Sequence, residues 1–135
     1  MSHFTTIKTK IKDVNVLIKA LNDLGHCNVE QYATPQPLYG YLGDIRPETA
    51  EVVIRRKYVG SASNDIGFQR QADGSFKAII SEFDRRKYNE EWINSLMQRY
   101  GYYKLIESAA DESFTVEEEE TLEDGTIRVV ISRWV

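Results

Sequence analysis

The chain has one cysteine, Cys27, and two histidines, His3 and His26. A lone thiol cannot close an intramolecular disulfide, so a small secreted domain held by bridges is excluded and a reducing compartment is expected. His26 and Cys27 are adjacent and point apart in an extended segment, and neither C-x-x-C nor H-x-x-x-H spacing occurs, which argues against a metal centre. No apolar run approaches the length of a membrane span, and Met1 to Lys12 lacks the apolar core of a signal peptide. A soluble, cytoplasmic chain that does not span a membrane is therefore expected. Also missing are a glycine-rich phosphate loop, a nucleophile elbow and any acid pair that the pattern singles out. No catalytic residues and no cofactor are expected.

What is present describes an ordinary globular chain. Its 135 residues suffice for one domain, residues 1–135, with 41% apolar and 28% charged residues. The net charge of −4 is unevenly spread. Nine acidic residues and no Lys or Arg lie between Glu107 and Asp124, while the rest of the chain carries 17 basic against 12 acidic residues. Such polarity can steer a partner or draw two parts of one fold together.

Alternation of polar and apolar residues predicts a strand over Phe4 to Ile11. Asp13 is placed as a helix N-cap, Val14, Leu17, Ile18, Leu21 and Leu24 follow at helical spacing, and Gly25 supplies the stop. A short strand over Cys27 to Tyr32 completes a β-α-β opening. Pro35, Pro37, Gly40, Gly43 and Pro47 then predict mostly loop from Ala33 to Ala50, with Leu38 to Leu42 at best a short strand. A strand is predicted over Glu51 to Val59, followed by a loop over Gly60 to Asp65.

Asp73-Gly74 and Asp124-Gly125 each sit between alternating runs and predict hairpins. For the second, a three-residue loop sets Trp134 opposite Phe114 and a two-residue loop sets it opposite Thr115. Burial of Trp134 is expected in either register. Between the hairpins Asn89 is placed as N-cap of a long helix whose apolar stripe is Ile93, Leu96, Met97, Tyr100, Tyr103 and Ile106, with Gly101 inside it. The expected fold is α+β: a mostly antiparallel sheet, two main helices on one face, a β-α-β start and room for a β-α-β-β pseudo-duplication.

The most distinctive motif is literal. Arg55-Arg56-Lys57-Tyr58 recurs as Arg85-Arg86-Lys87-Tyr88. Guanidinium groups bind phosphate or carboxylate bidentately, and a neighbouring tyrosine can stack on a base or sugar. The plainer reading is solvated charge, or pairing with the acidic segment, with one copy alternating on a strand and the other in a loop before a helix, and an acidic protein is a poor general nucleic-acid binder. Glu117 to Glu120 is read as a solvated edge strand, since neighbouring side chains on a strand face opposite ways and cannot converge on one cation. Tyr39 and Tyr102 are the tyrosines best suited to a protein interface. The candidate anion or partner contacts are thus Arg55, Arg56, Arg85, Arg86, Tyr39 and Tyr102.

Met1-Ser2-His3-Phe4, with Ile7, Thr9, Ile11, Leu17, Ala20, Leu21, Leu24 and Gly25, resembles a family known in cyanobacteria and algal plastids as hypothetical chloroplast reading frame thirty-five. The likeness continues through Gln98-Arg99-Tyr100-Gly101-Tyr102 and from Glu123-Asp124-Gly125-Thr126-Ile127 to Arg133-Trp134. This resemblance implies a domain of unknown function in a cyanobacterial cytoplasm or plastid stroma, with no catalytic residues to carry over. It further implies an accessory part in building or maintaining the photosynthetic apparatus. The charge polarity, the tyrosines and the missing catalytic constellation lead to the expectation of a non-enzymatic accessory or adaptor protein that binds another protein. The repeated Arg-Arg-Lys-Tyr segments offer a small anion- or RNA-binding module as the alternative, and an enzyme assembled from distant carboxylates and a tyrosine is the third reading.

Overall fold

In the computed structural model, residues 3–111, 114–121 and 127–133 are described. Strand β1 (Phe4–Lys8) leads into helix α1 (Val14–Asp23), then β2 (Val29–Tyr39), β3 (Ile45–Ile54) and a single-turn helix α2 (Arg56–Val59). Strands β4 (Ile66–Arg70) and β5 (Phe76–Ser81), a short 3₁₀ turn (Asp84–Arg86), helix α3 (Glu90–Asp111) and strands β6 (Phe114–Thr121) and β7 (Ile127–Arg133) follow. The first five strands form one antiparallel sheet in the order β1-β5-β4-β3-β2, and β6 and β7 pair separately. The chain is α+β and opens β-α-β as expected, with β1 and β2 at opposite edges and α1 carrying the chain between them. The order strand, helix, strand, strand occurs twice, but the two resulting hairpins belong to different sheets.

Both main helices start where the sequence places them. The Asp13 carboxylate accepts the Asn15 and Val16 amides at 3.0 and 3.2 Å, and the Asn89 side chain accepts the Trp92 amide at 3.1 Å. Helix α1 stops at Gly25, whose φ of +97° lets the His26 amide turn back and donate to the Leu21 carbonyl at 3.0 Å. Leu17, Ala20 and Leu21 of α1 and Ile93 and Leu96 of α3 pack with Val52, Ile54, Phe68, Ala78 and Ile80, so both helices cover one face of the sheet. A further bond ties them together: the Tyr100 hydroxyl of α3 accepts the Lys12 and Asp13 amides at 3.2 and 3.0 Å, satisfying donors before the start of α1. Tyr103 donates from its hydroxyl to Asp23 at 2.6 Å.

The region expected to be loop is instead the longest hairpin of the main sheet. Strand β2 runs through Pro35 and Pro37, and β3 contains Pro47. Prolines are tolerated because β2 is an edge strand, and β4 pairs with β3 only at Val52, Val53 and Ile54, leaving the Pro47 stretch with one open side. The β2/β3 ladder shifts register between Gln31 and Gln36. Leu38, Ala50, Val53 and Ile79 form a second small core cluster. A Cβ on Gly67 would lie 2.7 Å from the Ala50 Cβ and 3.0 Å from Leu38, so only glycine admits this close approach.

Three boundaries depart from expectation. The first strand ends at Lys8 rather than Ile11, and the second spans Val29–Tyr39 rather than Cys27 to Tyr32. The strand expected over Glu51 to Val59 ends at Ile54, and Arg56–Val59 is helical, so the first basic copy does not alternate on a strand. Its turn is imposed by Asp65, whose Oδ1 accepts the Arg56 amide at 2.7 Å. In the last hairpin Phe114 stands opposite Arg133, and not Trp134, because the register slips by one residue between Val116 and Glu118. Trp134, the Asp124-Gly125 turn and the side chains of Glu117 to Glu120 lie outside the described residues.

Candidate functional site

The two basic copies lie on either side of one loop, Gly60 to Ser63. One cleft, of ≈ 550 Å³, is lined by Arg55, Arg56, Lys57 and Asp65 together with Tyr39, Gly43, Gly60 and Ser61. A second, of ≈ 560 Å³, is lined by Gly60, Ser61, Ala62 and Ser63 and by Phe83, Arg86, Lys87 and Tyr88. Gly60 and Ser61 belong to both walls. Sequence alone could not bring the copies together, because their meeting depends on β4 and β5 folding back between them.

In the first cleft Arg55 is held by the protein through Nε and Nη1. Its Nε donates to Glu30 at 2.9 Å, and its Nη1 donates to Asp65 at 2.8 Å and to the Pro37 carbonyl at 3.3 Å. The guanidinium also lies 5.3 Å from the centre of the Tyr39 ring. Asp65 is only 1% exposed, and its Oδ2 also accepts the Tyr39 amide at 2.8 Å. Burial alone would raise the Glu30 carboxyl, but the Tyr32 hydroxyl and Arg55 hold it below the usual carboxylate range. Burial alone would lower Arg55, but the oxygens of Tyr32, Asp65 and Glu30 outweigh that and raise it. Arg55 and Tyr39 therefore share a site, in which Arg55 positions the wall. Arg56 is the more available cation: its Nη1 donates to the Tyr41 carbonyl at 2.9 Å.

The second copy is held differently. Arg85 donates from Nη1 to Thr5 Oγ1 at 3.0 Å, while its buried Nε finds no hydrogen-bond partner among the described residues. Arg85 lines neither cleft. Arg86 is exposed and lies 4.3 Å over the Phe83 ring. Tyr88 is buried, packs edge-on to Trp92 at 5.1 Å and tilts against His26 at 5.8 Å. Burial, and then the positive charge of Lys87, hold the His26 imidazole below its ordinary value.

A polar layer that sequence reasoning missed contributes Ser63 and Asp84 to the wall of the second cleft. Ser63, Asn64, Ser81 and Asp84 are all buried. Asp84 Oδ2 accepts the Asn64 amide at 2.9 Å, the Asn64 side chain at 3.2 Å and the Ser81 hydroxyl at 2.7 Å. Through the Arg56 and Asn64 amides, Asp65 and Asp84 hold the chain on either side of the Gly60 to Ser63 loop. The run Ser63-Asn64-Asp65 directly after it was the available signal, and it reads as ordinary loop composition. Tyr102 is elsewhere: it lies on α3 with its ring 5.2 Å from that of Tyr103, away from both clefts. The Tyr103 hydroxyl, bonded to Asp23 and partly desolvated, is pushed up to about 12.

Chemically, the arrangement presents Arg56, Lys57, Arg86 and Lys87 around hydroxyl-bearing Ser61, with the nearby carboxylates already neutralised or hydrogen-bonded. Such a surface can hold an anion. Among the described residues no three His, Cys, Asp or Glu side chains are grouped to hold a metal, and no helix is long and apolar enough to cross a membrane.

Comparison with known proteins agrees with the resemblance of the sequence. The uncharacterized protein ycf35 of Guillardia theta is 30% identical over 136 residues, covering 99% of this chain and 98% of that protein. The uncharacterized protein ycf35 of Cyanophora paradoxa is 31% identical over 136 residues, and that of Pyropia yezoensis 27% over 140 residues, with the same coverage. No solved structure matches the chain. The model of a protein family of unknown function, DUF1257, matches residues 20–130, and the chain belongs to that family.

Proposed function

We propose that the chain is a non-enzymatic binding protein whose recognition face is the pair of clefts flanking Gly60 to Ser63, and that the group it recognises is anionic. The observation that carries this reading is that the two Arg-Arg-Lys-Tyr copies, 30 positions apart in sequence, contribute cations to clefts that share Gly60 and Ser61. Buried acids that hold the chain on either side of that loop favour it further, because a preorganised site loses less entropy on binding. No pair of ionisable groups in the clefts is set up as acid and base: Asp65 and Asp84 are occupied by hydrogen bonds to the protein. An accessory part in assembling or maintaining the photosynthetic apparatus, in a cyanobacterial cytoplasm or plastid stroma, fits a module that binds rather than transforms.

The test is an amide-resonance titration with inorganic pyrophosphate. Shifts should concentrate at Arg56, Lys57, Gly60 to Ser63, Arg86 and Lys87, and should weaken as salt is added. In Lys57→Glu and Lys87→Glu they should largely vanish. Absent shifts, or shifts confined to other surfaces, would overturn the reading.

A further inference from the structure

We infer that the anion this face meets is the headgroup layer of an anionic lipid bilayer, onto which the β2/β3 hairpin tip docks; the inference rests on the anion-binding reading above. The tip, residues 40–45, forms one end of the first cleft through Gly43. Leu42 is 73% and Ile45 69% exposed, against 38% to 43% for the other large apolar side chains on the described surface. Two aliphatic side chains this exposed on one hairpin tip have no packing role in the fold.

The charge beside them has the matching sign. Arg56 donates to the Tyr41 carbonyl within the tip at 2.9 Å, and its Nη2 lies 3.7 Å from where a Gly43 Cβ would be. Lys57, exposed, follows it, and its ammonium lies 4.9 Å from the centre of the exposed Tyr58 ring. The one acid of the tip, Asp44, is paired with Arg46 at 3.7 Å. Exposed Tyr41 and Tyr58 are amphipathic rings of the kind that settle at a membrane interface. Exposed aliphatic residues on the tip, exposed aromatic rings and cations in the adjoining cleft match in kind the acyl chains, interface and anionic headgroups of a bilayer.

A protein partner would need a pocket for two protruding aliphatic side chains, whereas a bilayer accepts them without shape matching. Binding by so few residues should be weak and reversible, because each signal alone is marginal. It should also be local to the tip, since the chain as a whole carries a charge of −4 and the acidic residues Glu107 and Asp111 lie on α3 and Glu117 to Glu120 on β6, not on the tip.

The experiment is co-sedimentation of the full chain with vesicles of phosphatidylcholine alone and with equal parts of phosphatidylcholine and phosphatidylglycerol, beside the pyrophosphate titration. The wild type should sediment with the mixed vesicles, not with the neutral ones, and should be released by salt. The double variant Leu42→Ser/Ile45→Ser should partition on the order of tenfold more weakly. It should still bind pyrophosphate and keep its circular dichroism spectrum, because neither side chain is in the core. Lys57→Glu should lose both activities. Pyrophosphate binding without vesicle binding would overturn the lipid inference and leave the anion reading standing, and loss of both would end both. Undiminished sedimentation of the Leu42→Ser/Ile45→Ser variant, or capture by a single-stranded RNA oligonucleotide with no sedimentation, would also overturn it.

Discussion

Arg55-Arg56-Lys57-Tyr58 and Arg85-Arg86-Lys87-Tyr88 are the same four residues in two different environments. In the first copy the leading arginine is locked to Glu30 and Asp65, and the tyrosine is 43% exposed. In the second the leading arginine has one side-chain bond among the described residues, to Thr5, and the tyrosine is 4% exposed against Trp92 and His26. The middle residues, by contrast, line clefts in both copies. Identity of sequence therefore fixes the chemistry that is available. The residues that arrive from elsewhere in the chain decide which part of it is consumed by the fold.

The sharpest way to break the comparison is at the tyrosines. Tyr88→Ala should cost about 3 to 5 kcal/mol, as for removal of a large aromatic from a core, whereas Tyr58→Ala should stay within about 0.5 kcal/mol. Urea unfolding of both variants checks this, and equal losses would mean that the two copies are held alike. At the first position the order reverses. Arg55→Ala leaves Asp65 buried without its cation and should cost about 2 to 3 kcal/mol, below the full value for a buried pair because Arg55 and Glu30 keep some contact with water. Arg85→Ala removes one neutral partner and should cost about 1 kcal/mol.

Mild acidity, near the ordinary imidazole value, probes the second copy through His26. The folded-state value of His26 is depressed, so below the ordinary imidazole value the unfolded chain binds a proton that the folded chain resists. Stability supported by neutral His26 should be complete above that value and decline as pH falls through the folded-state value. His26→Gln should flatten this part of the stability profile, and an unchanged slope would remove His26 from the account. Small effects are also expected at the shared middle position: Arg56→Ala and Arg86→Ala should each change stability by less than about 1 kcal/mol. Both should nevertheless weaken pyrophosphate binding, and retention of wild-type shifts in either would take that arginine out of the site.

Much of the fold was legible because local signals carried it. Asp13, Gly25 and Asn89 mark helix ends by hydrogen bonds made within a few residues, and Asp73 turns its hairpin by accepting the Ser75 amide at 2.9 Å. The Pro-rich segment misled because proline forbids a central strand but not an edge, and edge position is a property of the sheet. Of the six candidate contacts, Arg55, Arg56, Arg86 and Tyr39 come to the clefts or their support, while Arg85 and Tyr102 do not. Asp65 and Asp84 escaped notice, since a buried acid looks like any other until its donors are in place.

By itself the sequence determined the helix caps, the Asp73-Gly74 hairpin, the apolar faces and the doubling of a basic motif, all of which depend on residues near one another in the chain. Only the tertiary structure decided that β1 and β2 stand at opposite edges, that Asp65 breaks the third strand into a helical turn and that both basic copies flank one loop. Those outcomes depend on which distant donor reaches a buried acceptor, and burial makes an unmatched polar group costly enough to settle the arrangement.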